Sequence, residues 1–122
     1  MTLKDCYAQL EGDYEDVLFR LKLEERVQKF AIRFIADRSF ADLQKALQEN
    51  NAEEAFRAAH TLKGTAQNLG FTALYEEAYD MTETLRVRKI EEAKTLRPQM
   101  EECYKRTVQA LKLLESEQKN PR

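Results

Sequence analysis

The sequence predicts an all-α protein: an antiparallel four-helix bundle with short accessory helices at its N-terminal end. Three observations predict it. Apolar residues recur at helical spacing along most of the chain, and strand-like alternation is nowhere sustained. Only three glycines and two prolines interrupt 122 residues. Pairs of side chains with helix-capping spacing stand where the periodicity restarts. With 43% hydrophobic and 34% charged residues, a chain of this length reads as one domain over residues 1–122 that buries a core without staples.

Taken in order, Thr2 and Asp5 form a capping pair for a short helix that stops near Gly12. Asp13 caps a second short helix through YEDVLFRL. The bundle core is expected over about residues 23–116, with residues 1–22 as the accessory helices. Its first helix carries a stripe of Leu23, Val27, Phe30 and Phe34, which shifts phase to Phe40, Leu43 and Leu47. Ser39 and Asp42 offer a capping pair at that shift, so a kink or break is expected over residues 37–39. The run ENN closes the segment. Asn51 and Glu54 then open the next helix, and Gly70 is placed to close it in the left-handed conformation. The third helix runs from Phe71 through Leu74, Ala78, Met81 and Leu85. The last spans about residues 89–115, with Ile90, Ala93, Met100, Val108, Leu111 and Leu114 inward. Pro98 predicts either a kink or a later start for that helix, and the polar tail SEQKNPR is expected to fray.

Composition also excludes functions. A net charge of -2 gives no general attraction to nucleic acid or an anionic membrane. Cys6 and Cys103 lie in no metal or redox spacing and read as reduced thiols. The first sixteen residues carry charges where a signal peptide needs an apolar run, and no segment approaches transmembrane length. A cytoplasmic location is expected.

The chain has one histidine, His60, in the stretch AFRAAHTLKGTAQNLG, residues 55–70. That window holds no carboxylate, although about three would be present at the chain's average frequency. On a helical wheel Ala55, Ala59, Leu62, Ala66 and Leu69 form the buried stripe, and His60 lies roughly 140° from its centre. A lone histidine is often a satisfied core residue, but this one faces outward. Phe56 and Gly64 lie one turn to either side of it, with Arg57, Lys63 and Gln67 close by. Glycine inside a helix costs about 1 kcal/mol relative to alanine. Gly64 therefore lets a partner approach His60, or lets a neighbouring helix pack closely, or is ordinary helix variation. Lys63 and Arg57, three residues to either side of the histidine, suit a side chain that acquires negative charge, such as a phosphoryl group of charge about -2.

The spacing in AHTLKGTAQNLG resembles the signature of histidine-containing phosphotransfer (HPt) domains. His60 is followed by Lys63 and Gly64 three and four residues on, and by Gly70 ten residues on, with Ala59, Leu62 and Leu69 also matching. The resemblance covers most of the chain and implies a four-helix bundle with its histidine exposed on a central helix. It implies a phosphorelay intermediate without hydrolytic or kinase activity, which takes a phosphoryl group from a receiver-domain aspartate and passes it to another response-regulator receiver. His60 would be the phosphoacceptor, through Nε2, and Lys63 would neutralise the phosphoryl charge. Gly64 would give the receiver access, and Phe56, Arg57, Gln67 and Arg86 would belong to the docking surface. No cofactor or metal is expected here, because the receiver would bring the Mg²⁺ and the acidic pocket, and a monomer is expected. One position departs from the pattern: Thr82 stands where many members carry a glutamine that hydrogen-bonds the histidine, leaving the imidazole to be oriented by another group or by water.

Other classes fit less well. A helical adaptor with an incidental surface histidine explains the bundle but not the Lys-Gly spacing or the acid-free window. A metal-binding bundle needs inward carboxylates and histidines from several helices, which one outward histidine does not supply. A histidine-kinase dimerisation domain would be followed by a nucleotide-binding domain, of which this chain shows no sign.

Overall fold

The computed structural model describes residues 1–119. Its elements are α1 (Leu3–Gln9), α2 (Tyr14–Leu21), α3 (Glu24–Arg33), a 3₁₀ turn (Phe34–Ala36), α4 (Ser39–Gln48), α5 (Ala52–Leu69), α6 (Thr72–Arg86) and α7 (Ile90–Lys119), and no strand occurs among the described residues. The all-α prediction holds. The helix pairs α4–α5, α5–α6, α6–α7 and α4–α7 pack on one another and close the bundle, while α1 and α3 lie on α7.

Local chemistry sets most boundaries. The Thr2 hydroxyl accepts from the Asp5 amide at 3.0 Å and the Asp5 carboxylate accepts from the Thr2 amide at 3.1 Å, the reciprocal cap expected of that pair. Asp13 Oδ1 accepts from the Asp16 amide at 3.1 Å and starts α2 where the sequence placed it. Non-glycine residues in the left-handed region end four of the helices: Glu11, Lys22, Asn50 and Arg88, with φ between 55° and 75°.

Two expectations need correction, and one alternative is settled. In α3 the buried side is Val27, Ala31 and Phe34, whereas Leu23 is 53% and Phe30 38% exposed. The inward spacing is therefore 4-3 from Val27, with small Ala31 taking the place expected of a large residue. The break after the 3₁₀ turn occurs as expected, but Ser39 and Asp42 do not cap α4: Ser39 lies inside the helix, and its amide donates to Asp37 Oδ1 at 2.8 Å. Of the two outcomes expected at Pro98, the later start does not occur: α7 begins at Ile90, close to its expected start. It runs through Pro98, which is exposed, so the Lys94 carbonyl that loses its helical donor lies beside an open surface. The helix continues past residue 115, and residues 120–122 of the polar tail lie outside the described residues.

The core is continuous from α1 to α7. An aromatic chain crosses it: Tyr7 to Phe71 (5.7 Å between ring centroids), Phe71 to Phe34 (5.3 Å), Phe34 to Tyr104 (6.1 Å) and Tyr104 stacked on Phe40 (4.1 Å). It ties α1, the 3₁₀ turn, α4, α6 and α7 together. Buried Thr82 and Thr107 satisfy their hydroxyls on the carbonyls four residues back, Ala78 and Cys103.

The N-terminal helices clamp the end of α5. The Tyr7 hydroxyl donates to the Leu69 carbonyl at 2.6 Å, the Asp13 amide to Gly70 O at 2.8 Å, and the Arg20 guanidinium to Gln67 O at 3.2 Å. In return the Ala73 amide of α6 donates to Glu11 O at 3.2 Å. A Cβ on Gly12 would lie 2.5 Å from Gly70 O, and one on Gly70 would lie 2.9 Å from Asp13 O at a φ of +72°. The two glycines let two backbones meet.

Gly12→Ala should therefore lower stability by about 2 kcal/mol, a typical overpacking cost, read as a reduced urea midpoint with an unchanged slope. The buried cysteines give a second test. Burial pushes the Cys6 thiol up to about 11 and raises that of Cys103 too, so reactive thiolate is scarce at neutral pH. A thiol reagent such as DTNB should modify both only slowly in the native protein and rapidly in urea; fast native labelling would contradict the burial.

Candidate functional site

α5 sets the site. Asn51 Oδ1 accepts from the Glu54 amide at 3.1 Å and caps its start, and Gly70 closes its end in the left-handed conformation. Ala55, Ala58, Ala59, Leu62 and Ala66 are buried, while Leu69 is only partly so. Four alanines among these five residues let α4 and α6 approach closely, and the opposite side of the helix stays free. His60 lies on that free side and is exposed.

The Phe56 ring lies 5.8 Å from the imidazole, tilted by 37°, and is half-buried. The Arg86 guanidinium sits 5.1 Å above the other part of this pair, the Phe56 ring, and also bonds Glu83 at 2.9 Å. Phe56, Leu85, Arg86 and Arg88 line a cleft of about 280 Å³ beside the histidine. Lys63 Nζ lies 5.5 Å from the centre of the Tyr79 ring and has no carboxylate partner among the described residues. Around Gly64 a Cβ would meet nothing within 4 Å. Close packing of a neighbouring helix is thereby excluded as the reason for this glycine, which leaves access for a partner or ordinary helix variation. Gln67 is exposed two turns beyond the histidine.

Arg57 differs from expectation, whereas Thr82, as its short side chain suggests, leaves the imidazole without its hydroxyl. Arg57 does not stand as a free cation beside His60: its guanidinium is forked between Glu53 (3.1 Å) and Glu54 (3.0 Å). Those glutamates occupy the first turn of α5, three and four residues before it, the spacing at which helix side chains meet. Thr82 is fully buried and donates to the Ala78 carbonyl at 2.6 Å, so its hydroxyl is engaged by its own helix. Among the described residues the His60 ring has no hydrogen-bond partner.

Tyr79 escaped the sequence reading. It is 45% exposed, and the inward spacing of α6 shows only that it lies off the core. That it lies beneath Lys63 depends on how α5 and α6 pack together.

The site is thus an exposed imidazole in mid-helix, flanked by an open glycine and by a lysine without a carboxylate partner among the described residues, with room for another molecule to approach it. The Hpt domain model matches residues 36–113, more than half of the chain, and the protein belongs to the Hpt domain family. It therefore has the histidine phosphotransfer role of a phosphorelay, and Hpt domains interact with receiver domains of two-component systems. They are phosphotransfer carriers without kinase activity. No curated protein and no solved structure matches the chain. No helix among the described residues is long and apolar enough to cross a membrane. Helices α1, α2 and α3 precede the matched region.

Because a side chain at position 64 meets no atom, Gly64→Ala should stabilise the protein by about 1 kcal/mol through helix propensity. A melting temperature raised by about 4 °C would register it. A lowered melting temperature would mean that the glycine is required by packing.

Proposed function

We propose that His60 is the phosphoacceptor of this chain and shuttles a phosphoryl group between the aspartates of two receiver domains. The observation that carries this reading is the exposed imidazole with clear space over Gly64 beside it. In the tautomer with its proton on Nδ1, the Nε2 lone pair attacks phosphorus. One P–N bond forms as the P–O bond to the receiver's aspartate breaks, and the aspartate leaves as a carboxylate. Transfer to the second receiver is the reverse reaction on a different aspartate. The receiver supplies Mg²⁺ and the acidic pocket, so this chain needs neither a metal nor a cofactor, and it works as a monomer.

Lys63 supplies charge. Its ammonium rests over the Tyr79 ring, a contact worth about 0.5–1 kcal/mol at an exposed site. A phosphoryl group on His60, one helical turn away, offers a charge-assisted partner and draws the ammonium off the ring. Arg86 is restrained by Glu83 and Phe56 and borders the docking surface with Phe56 and Gln67, whereas the charge of Arg57 is already compensated.

Incubating the protein with phosphorylated receiver domains from the same genome tests the reading. Label should enter as an acid-labile, base-stable phosphoramidate, and His60→Gln should abolish it without changing the helical circular dichroism. Lys63→Ala should slow transfer about fivefold, the equivalent of about 1 kcal/mol for an exposed charge. Label retained in His60→Gln would refute the assignment.

A further inference from the structure

The surface around His60 does not end at α5 and α6. Phe30 of α3 is 38% exposed, and together with Arg33, Thr65, Asn68 and Leu69 it borders a cleft of about 330 Å³. Thr65 and Asn68 belong to the histidine helix itself. Asn68 lies two turns beyond His60, about 12 Å along the axis. The cleft therefore continues the histidine face onto an element that precedes the region matched by the family model.

The charges on this surface share one arrangement. Arg33 lies 5.3 Å above the Phe30 ring, as Lys63 lies over Tyr79, and neither cation has a carboxylate within 4 Å among the described residues. Asp37 also lines the cleft, but its carboxylate is engaged by the Ser39 amide. A cation held on an aromatic face keeps its charge available, and the ring beneath it is apolar surface to be covered. An acidic partner with an apolar rim would satisfy both at once.

Size points the same way. A standard interface takes about 800 Å² from each partner, a disc of about 16 Å radius. Centred on His60, that disc passes Asn68, which borders the same cleft as Phe30 and Arg33.

We infer that Phe30 and Arg33 form part of the receiver-docking surface and help decide which receiver is served. Phe30 fills an apolar contact, and Arg33 pairs with a carboxylate of the receiver. The inference rests on the phosphotransfer reading above, and its test separates the two.

Affinity for the unphosphorylated receiver and single-turnover transfer from the phosphorylated receiver are measured with wild type, Phe30→Ser, Arg33→Glu and Leu113→Ser. Leu113 is an exposed residue of α7 and controls for general loss of apolar surface. Phe30→Ser should weaken binding about tenfold. Arg33→Glu should weaken it similarly and flatten its dependence on salt. Leu113→Ser should match wild type. All four proteins should take label at equal rates from phosphoramidate, a small donor that needs no docking surface, and should melt at similar temperatures. If wild type takes no label from any phosphorylated receiver, both the phosphotransfer reading and this inference fall. If wild type transfers and the two α3 variants match it in affinity and rate, the α3 contact is refuted while the role of His60 stands. Slower labelling by phosphoramidate in those variants would also refute docking as the cause.

Discussion

The meeting of Gly12 and Gly70 is the contact on which the rest of the structure depends. Two stretches of backbone come together there more closely than any side chain permits. The hydrogen bond from Asp13 to Gly70 O, with those from Tyr7 and Arg20 to the preceding carbonyls, satisfies acceptors that the end of a helix leaves open. One cluster thus fixes where α5 stops, how α6 departs and where the N-terminal helices lie.

That free side costs the protein little. Alanines line most of the buried side of α5, so the neighbouring helices close on it without large side chains, and the larger core residues stand mostly on the other helices, among them Tyr7, Leu43, Leu74, Met81 and Leu111. Function is then confined to a surface that packing does not use. The His60 imidazole lies 5.8 Å from the Phe56 ring and otherwise faces outward, while the nearby cations rest on rings or on acids of their own helices. The imidazole can be reached without moving a core residue.

Much of this could be read from the sequence because it is local. Capping at Thr2, Asp13 and Asn51, closure at Gly70 and the outward direction of His60 follow from spacing within a single helix. What could not be read is set between helices. Phe30 and Leu23 have the right spacing for a core stripe, yet the packing direction of α3 turns its small Ala31 inward instead. Thr82 could be placed near the site by counting, but only the structure shows its hydroxyl bonded to its own helix. Tyr79 lay outside any motif, and its place under Lys63 is a product of α5–α6 packing. The helix ends at Lys22 and Arg88 adopt left-handed backbone without a glycine nearby, so the usual signal for a helix stop is missing there.

His60 is the only imidazole in the chain, and the ring packed near it is the half-buried Phe56. In a proton spectrum its ring carbons' hydrogens form a set without overlap from other histidines, and the nearby aromatic ring shifts them from their free-solution positions. Any event that adds a group to the imidazole or changes its angle to Phe56 alters that one set of signals. The protein thus carries an intrinsic label at the side chain proposed to take the phosphoryl group, and its occupancy can be followed in the unmodified chain.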